Sequence, residues 1–186
     1  MPESFLGDGL IVEDSLPVAW SPGPLPDGAA LARLNADNHQ LLSAEASFDE
    51  VRVHDALKDE SSALVHELQR LEFKLNVLLR LTGELAVRNS ALPQPRRVRL
   101  SSHGLEWFGA GGSSIGDTGL LSVYVNSALP QALKVPATLA SDRAADDQRV
   151  AQFLFTGLSE ATLDLLEKLI FRRHRRMVAG ARLPPS

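Results

Sequence analysis

The sequence predicts an α+β protein: a small antiparallel β-barrel closed by a C-terminal helix, preceded by long N-terminal helices that form a coiled coil. Three observations carry this expectation. Leu57, Leu64, Leu71, Leu78 and Leu85 recur at every seventh position, the spacing that keeps one seam facing a partner helix. After Pro95 the helical period gives way to short apolar runs separated by turn-forming residues, the pattern of a β-meander or small barrel. A polar stretch over 141–147 then precedes a last strand and a helix-length run that starts at Ser159.

The bulk numbers are those of a folded soluble chain. Of 186 residues, 44% are hydrophobic and 23% charged, enough for one domain plus an extended element. The formal net charge of −4 provides no basic field for nucleic acid. Cysteine is absent, which excludes disulfides and thiolate metal sites and fits a reducing cytoplasm. No run approaches the roughly 20 apolar residues of a membrane span. Met1 to Leu6 carries no basic residue before its short apolar stretch, so no signal peptide is expected and the location predicted is cytoplasmic.

Residues 5–20 hold the apolar clusters Phe5-Leu6, Leu10-Ile11-Val12 and Leu16 to Trp20, read as a strand or extended segment. Pro22, Pro24 and Pro26 forbid helix beyond it. Asp27 can cap a first helix with Leu31, Leu34 and Leu41 on one face and Asn38 among them. Ser47 and Glu50 form a capping-box pair, so a second helix is predicted from Phe48 to about Arg88, with Pro93 and Pro95 preventing its return. About forty residues at ~1.5 Å each make a rod of roughly 60 Å. Strands are predicted at Val98 to Leu100, Leu105 to Phe108, Leu120 to Val125, Leu133 to Leu139 and Val150 to Phe155. Ser159 caps the final helix, Leu158 and Leu163 form its hydrophobic staple, and Arg172, Arg173, Arg175 and Arg176 suit its C-terminal end. The expected organisation is therefore 1–26 extended, 27–90 helical and oligomerising, 91–178 barrel with closing helix, and 179–186 a flexible tail.

With the five leucines at position d, position a holds His54, Ser61, Leu68, Leu75 and Thr82. Leu57, Leu64, Leu68, Leu71, Leu75, Leu78 and Leu85 thus form the seam, each leucine contributing roughly 1.5–3 kcal/mol when buried. Polar a residues at both ends penalise slipped registers. Val65, Leu79 and Leu81 at e and g, together with Phe73 and Val77, widen the stripe beyond a two-stranded seam. This widening favours more than two strands, or a C-terminal half that leans on the barrel. The competing reading is one long intradomain helix, which a small β domain is too short to cover.

Chemistry-bearing patterns are few. His39, His54, His66, His103 and His174 lack the i, i+4 pairing with a third ligand that zinc requires. No serine has a recognisable His and Asp arrangement in the sequence, and no catalytic set converges, so an enzyme is not expected. Gly109 to Gly116 is glycine-rich but lacks the Gly-Lys-Ser/Thr ending of a phosphate-binding loop; it reads as a hairpin loop. Arg96, Arg97 and Arg99 lie just before the first barrel strand and could hold phosphate.

Arg99-Leu100-Ser101-Ser102-His103-Gly104-Leu105 resembles the motif of the PilZ domain, a family of bacterial cyclic-di-GMP receptors. The family pattern is Asp or Asn, any residue, Ser, two of any kind, then Gly and an aliphatic residue. Ser101, Gly104 and Leu105 match, whereas Arg99 replaces the acidic or amide residue. Residues 116–139 look like the family's middle strands, and 158–176 like its closing helix. The resemblance covers 93–178, with 5–20 as an added strand. In the family, an R-x-x-x-R arm before the barrel grips the dinucleotide. Here Ala91 to Val98 lacks that spacing, while Arg172 and Arg176 have it on the wrong element. The implied site, Arg96, Arg97, Arg99, Ser101 and Gly104, is therefore degenerate, and cyclic-di-GMP binding is expected to be weak or absent unless the three arginines substitute as a clamp. No other cofactor is implied. The long heptad helix is similar to an atypical PilZ subset that forms four-stranded bundles, which implies a homotetrameric adaptor. Such an adaptor would contact an unidentified signalling protein in motility, surface behaviour or virulence.

Overall fold

The computed structural model describes residues 6, 9–54, 92–109, 112–126, 131–145 and 148–180, together with ten residues between 67 and 82. Six strands form one closed antiparallel barrel: β1 (Val12–Pro22), β2 (Pro95–Leu100), β3 (Gly104–Phe108), β4 (Thr118–Val123), β5 (Leu133–Ala145) and β6 (Gln148–Phe155). Two long helices, α1 (Gly28–His54) and α2 (Glu160–Gly180), pack on each other, on β5 and on β1.

Strand order around the barrel is β1-β2-β3-β6-β5-β4, so it is not a meander. Closure is the work of β1, which pairs with β2 through Val12 to Pro17 and with β4 through Val18 to Pro22. The partner changes where Pro17 faces Pro95, because neither residue has an N–H with which to continue the ladder. Leaving no open edge removes the unpaired backbone groups that invite aggregation.

Inward positions follow the two-residue period. Val98, Leu100, Leu105, Leu121, Val123, Leu133, Val135, Leu139 and Phe153 are fully buried, and they are continuous with Leu41 and Leu42 of α1 and Leu166, Leu169 and Ile170 of α2. The polar stretch over 141–147 is largely strand: β5 runs on to Ala145 past a bulge between Leu139 and Ser141 and pairs with β6. Within the described part, 141–145, charge pairs across the strands, as Asp142 does with Arg149.

Two asparagines fix α1 to the barrel. Asn38, buried on the apolar face, donates from Nδ2 to the Lys134 carbonyl (2.7 Å) and accepts the Lys134 N–H (3.0 Å), completing the backbone bonding where β5 begins. Asn35 donates to the Gly157 carbonyl (2.9 Å) and accepts the Ser159 N–H (2.9 Å). Ser159 caps α2 as expected, accepting the Thr162 N–H at 3.3 Å.

Helix α1 passes through Ser47 without a break, so the capping box there does not start a new helix; a helix already nucleated upstream propagates through a local cap signal. Helix α2 continues to Gly180, past the arginines expected to end it and into the segment expected to be a tail. Of the predicted seam, Leu57, Leu64, Leu68 and Leu85 lie outside the described residues, as does the helix end near Arg88. The described residues between 67 and 82 are helical. Among them Leu71, Phe73, Leu75 and Leu78 are 53%, 64%, 57% and 58% exposed, and Leu81 is exposed as well. In the single chain these side chains are not covered by the barrel, contrary to the expectation that this half leans on it.

Candidate functional site

The segment between β2 and β3 follows directly from its residue types. Ser101 Oγ accepts the His103 and Gly104 N–H groups (3.1 and 3.2 Å), while its own N–H donates to the Gly104 carbonyl (3.0 Å). A serine is needed here because its hydroxyl replaces a backbone acceptor inside the turn. Gly104 is needed because a Cβ would lie 2.5 Å from the Phe153 carbonyl oxygen. Both residues are buried, and Leu6 packs over the turn. His103 is exposed, its Nδ1 3.1 Å from Ser102 Oγ. The two best matches to the family motif thus serve the hairpin itself.

The three arginines lie within β2, not ahead of it. Alternation separates them. Arg97 and Arg99 face outward, opposite the buried Val98 and Leu100, whereas Arg96 shares the inward parity of Val98 at the far end of the strand from Ser101. Arg97 Nε donates to Glu13 Oε1 at 2.7 Å, and its guanidinium lies 4.5 Å from the Phe108 ring centre. The Arg97 hydrogen bond holds the Glu13 carboxyl below its ordinary value of 4.5, against a smaller opposing effect of burial. Arg99 donates to Glu106 Oε2 at 2.8 Å, and Gln152 Nε2 donates to Glu106 Oε1 at 2.7 Å. Arg143 stands 3.9 Å from the same carboxylate. Glu106 is buried although it faces outward, shielded by the side chains that bond it. The sequence reading missed Glu13 and Glu106. The available signal was a single acid inside an otherwise apolar strand, Leu105-Glu106-Trp107-Phe108.

The arginines of α2 are also committed to the fold. Arg172 donates to Glu45 of α1 at 2.6 Å. Arg173 bonds Asp14 of β1 and the Val125 carbonyl. These contacts occur inside the helix, so they fasten α2 to α1 and the barrel and do not serve its C-terminal dipole. Arg173, Arg176 and Met177 also line a cleft of about 650 Å³ whose other wall includes Asp14, Leu16, Pro93 and Tyr124.

Gly109, Gly112 and Gly116 adopt φ of 82°, 98° and 95°, a region open to glycine but strained for other residues. The segment that contains them joins β3 to β4, which are not neighbours but lie on opposite sides of the ring. It is therefore not a hairpin loop, and no helix follows it. Among the described residues no group of three or more His, Asp or Glu could hold a metal ion, and no helix is long and apolar enough to cross a membrane.

A closed six-stranded barrel with a serine-glycine turn after β2 and a packed closing helix defines a PilZ-like architecture. The chain belongs to the atypical PilZ domain, cyclic di-GMP receptor family, whose model matches residues 42–183. Among solved structures it is similar to a pathogenic protein from Xanthomonas campestris, described as a tetrameric PilZ domain self-assembled through an unusual helical bundle. The identity is 26%, the match covers 92% of each chain, and the TM-score is 0.76. It is also similar to YcgR from Escherichia coli in complex with c-di-GMP, at 20% identity over 48% of this chain and 40% of that one, with a TM-score of 0.39. No match was found among curated proteins.

Proposed function

We propose that this protein is a non-enzymatic signalling adaptor of the atypical PilZ family, assembled through its central helices and degenerate at the cyclic-di-GMP site. The observation that carries the second part is the commitment of the site residues. Arg97 is held by Glu13 and Phe108, Arg99 by a buried carboxylate, and Ser101 and Gly104 by the turn. Arg96 stands on the other face of the strand. To turn Arg99 toward a phosphate would leave Glu106 with Gln152 as its nearest donor, and uncovering a buried charge is costly. A clamp of three convergent arginines does not fit this arrangement.

Assembly is supported by the exposed row Leu71, Leu75 and Leu78 with Phe73 beside it, because adjoining exposed apolar side chains mark an interaction surface. It is also supported by the likeness to the Xanthomonas protein, which is tetrameric through a helical bundle. Four barrels on one stalk engage a protein partner with avidity that a single copy lacks. The role that follows is relay by protein contact in bacterial motility or virulence signalling. Calorimetric titration of the full chain with cyclic-di-GMP tests the site: no saturable heat is expected at high micromolar ligand. Micromolar binding that disappears in Arg97→Ala and Arg99→Ala would restore the receptor reading.

A further inference from the structure

We propose that the cleft between β1, the segment leading into β2 and the last turns of α2 is where a protein partner docks, and that it takes an extended segment combining aliphatic residues or proline with Asp or Glu. An adaptor that relays by contact needs such a surface, so the assignment rests on that reading. The cleft measures about 650 Å³, within the roughly 300–1,000 Å³ typical of binding sites. Its lining takes in every residue of β1 from Val12 to Pro17, which at ~3.3 Å per residue is roughly 17 Å of strand and suits an extended segment of about five residues. The floor is dry, with Val12, Leu16 and Val125 buried. The walls are apolar and still reachable: Leu92, Pro93 and Tyr124 are half-buried, and Met177 is 44% exposed. Where Pro17 faces Pro95, neither ring carries an N–H, so the surface there is apolar with no donor to hold water. A buried apolar centre with a more polar rim is the anatomy of a protein interface.

Charge selects the occupant. The chain as a whole carries −4, yet from Lys168 to Gly180 helix α2 contains no acid and adds Arg172, Arg173, Arg175 and Arg176. The acids of the lining are Glu13 and Asp14, and each is already bonded to an arginine, Glu13 to Arg97 and Asp14 to Arg173. The exposed Arg176, also in the lining, adds a further positive charge. A segment bearing Asp or Glu complements this field, and a basic one is repelled. Pro95 and the Ser101 turn mark opposite ends of β2, so the surface is separate from the residues that match the family motif.

Selection of a phage-displayed library of random short peptides on the full-length protein is expected to enrich sequences that join Asp or Glu to Leu, Ile or Pro. The chain has one tyrosine, and Tyr124 lines the cleft, so protein made with 3-fluorotyrosine gives a single ¹⁹F signal that reports on this surface. A synthetic peptide of the enriched sequence should shift that signal saturably. Arg176→Glu is expected to weaken the peptide at least about ten-fold, Arg176→Lys to retain most of the binding, and Met177→Ser to weaken it by less than the charge reversal. Both side chains are exposed, so these changes spare the fold. A library that yields no binder, enrichment of basic sequences, or an enriched peptide that leaves the Tyr124 signal in place overturns the proposal. Cyclic-di-GMP binding by calorimetry, alongside a peptide that still shifts Tyr124, would overturn the degenerate-site reading and uphold this docking surface.

Discussion

Two stretches of helix carry apolar rows of similar length and meet opposite fates. In α1, Leu41 and Leu42 are buried against the barrel and α2, and Asn38, one turn earlier, is hydrogen-bonded to the start of β5. Between 67 and 82, Leu71, Leu75 and Leu78 present an equally apolar row to water. What separates the two is the polar punctuation. In the first stretch Asn35 and Asn38 meet fixed backbone groups of the same chain, which locks one docking position. In the second the described polar groups pair locally, as Glu67 does with Arg70 at 3.7 Å, both well exposed, and such a pair contributes little. An apolar row tied by specific amides docks within the chain; among the described residues of the second stretch no amide makes such a tie, and its row is open to meet one like itself.

The strongest way to break the comparison is to charge the exposed row. Leu71→Asp, Leu75→Asp and Leu78→Asp together remove three leucines worth roughly 1.5–3 kcal/mol each when buried. Light scattering is expected to fall to the single-chain mass of 20.1 kDa, with the tryptophan fluorescence of the barrel unchanged. An intact oligomer carrying all three aspartates would refute assembly through this row.

Truncating the covered row should do the converse. Leu42 is fully buried, and Leu42→Ala is expected to cost about 2–5 kcal/mol of unfolding free energy through the cavity it leaves. The oligomeric mass at native temperature should not change. Denaturant unfolding monitored by tryptophan fluorescence measures the first effect and sedimentation the second. A change of mass without a loss of stability would show that α1, not the central stretch, forms the subunit contact.

The sequence disclosed elements where one physical requirement dominated a short window. The short apolar runs placed β2, β3, β4, β6 and the start of β5 to within a few residues, though not the polar second half of β5; Ser159 announced the start of α2, and Asn38 among leucines marked the buried face of α1. It did not disclose relations between distant segments. The closure by β1 depends on Pro17 meeting Pro95 across 78 residues of chain, and no local pattern encodes that encounter. Ser47 looked like a helix start because a cap is a local signal, whereas continuation is decided by what the helix already packs against. The partners of the arginines were hidden for the same reason: Glu13, Glu106, Asp14 and Glu45 each lie a strand or a helix away. The serine and glycine of the motif were read from the sequence only as matches to the family pattern; that they build the turn between β2 and β3 follows from the hydrogen bonds of Ser101 and the close approach of Gly104 to Phe153.

The smallest expected effect separates the barrel from the assembly by pH. Glu13 is held below its ordinary value of 4.5 by Arg97. A carboxyl whose folded value is depressed adds stability that is present above the unfolded value and is lost as pH falls through the folded one. Both partners are about half exposed, so solvent screening limits the contribution to a few tenths of a kcal/mol. Acidification from neutral pH through the carboxylate range should therefore lower the unfolding midpoint slightly more in the wild type than in Glu13→Gln. That difference should shrink in an Arg97→Gln background, because the shift arises first from the Arg97 hydrogen bond, with Arg99 adding a smaller pull in the same direction. The central stretch contains neither residue, so the triple aspartate variant should keep the difference at full size. If the pH term disappeared with the oligomer, the outer face of the barrel would be coupled to the bundle, and the independence of the two regions would fail.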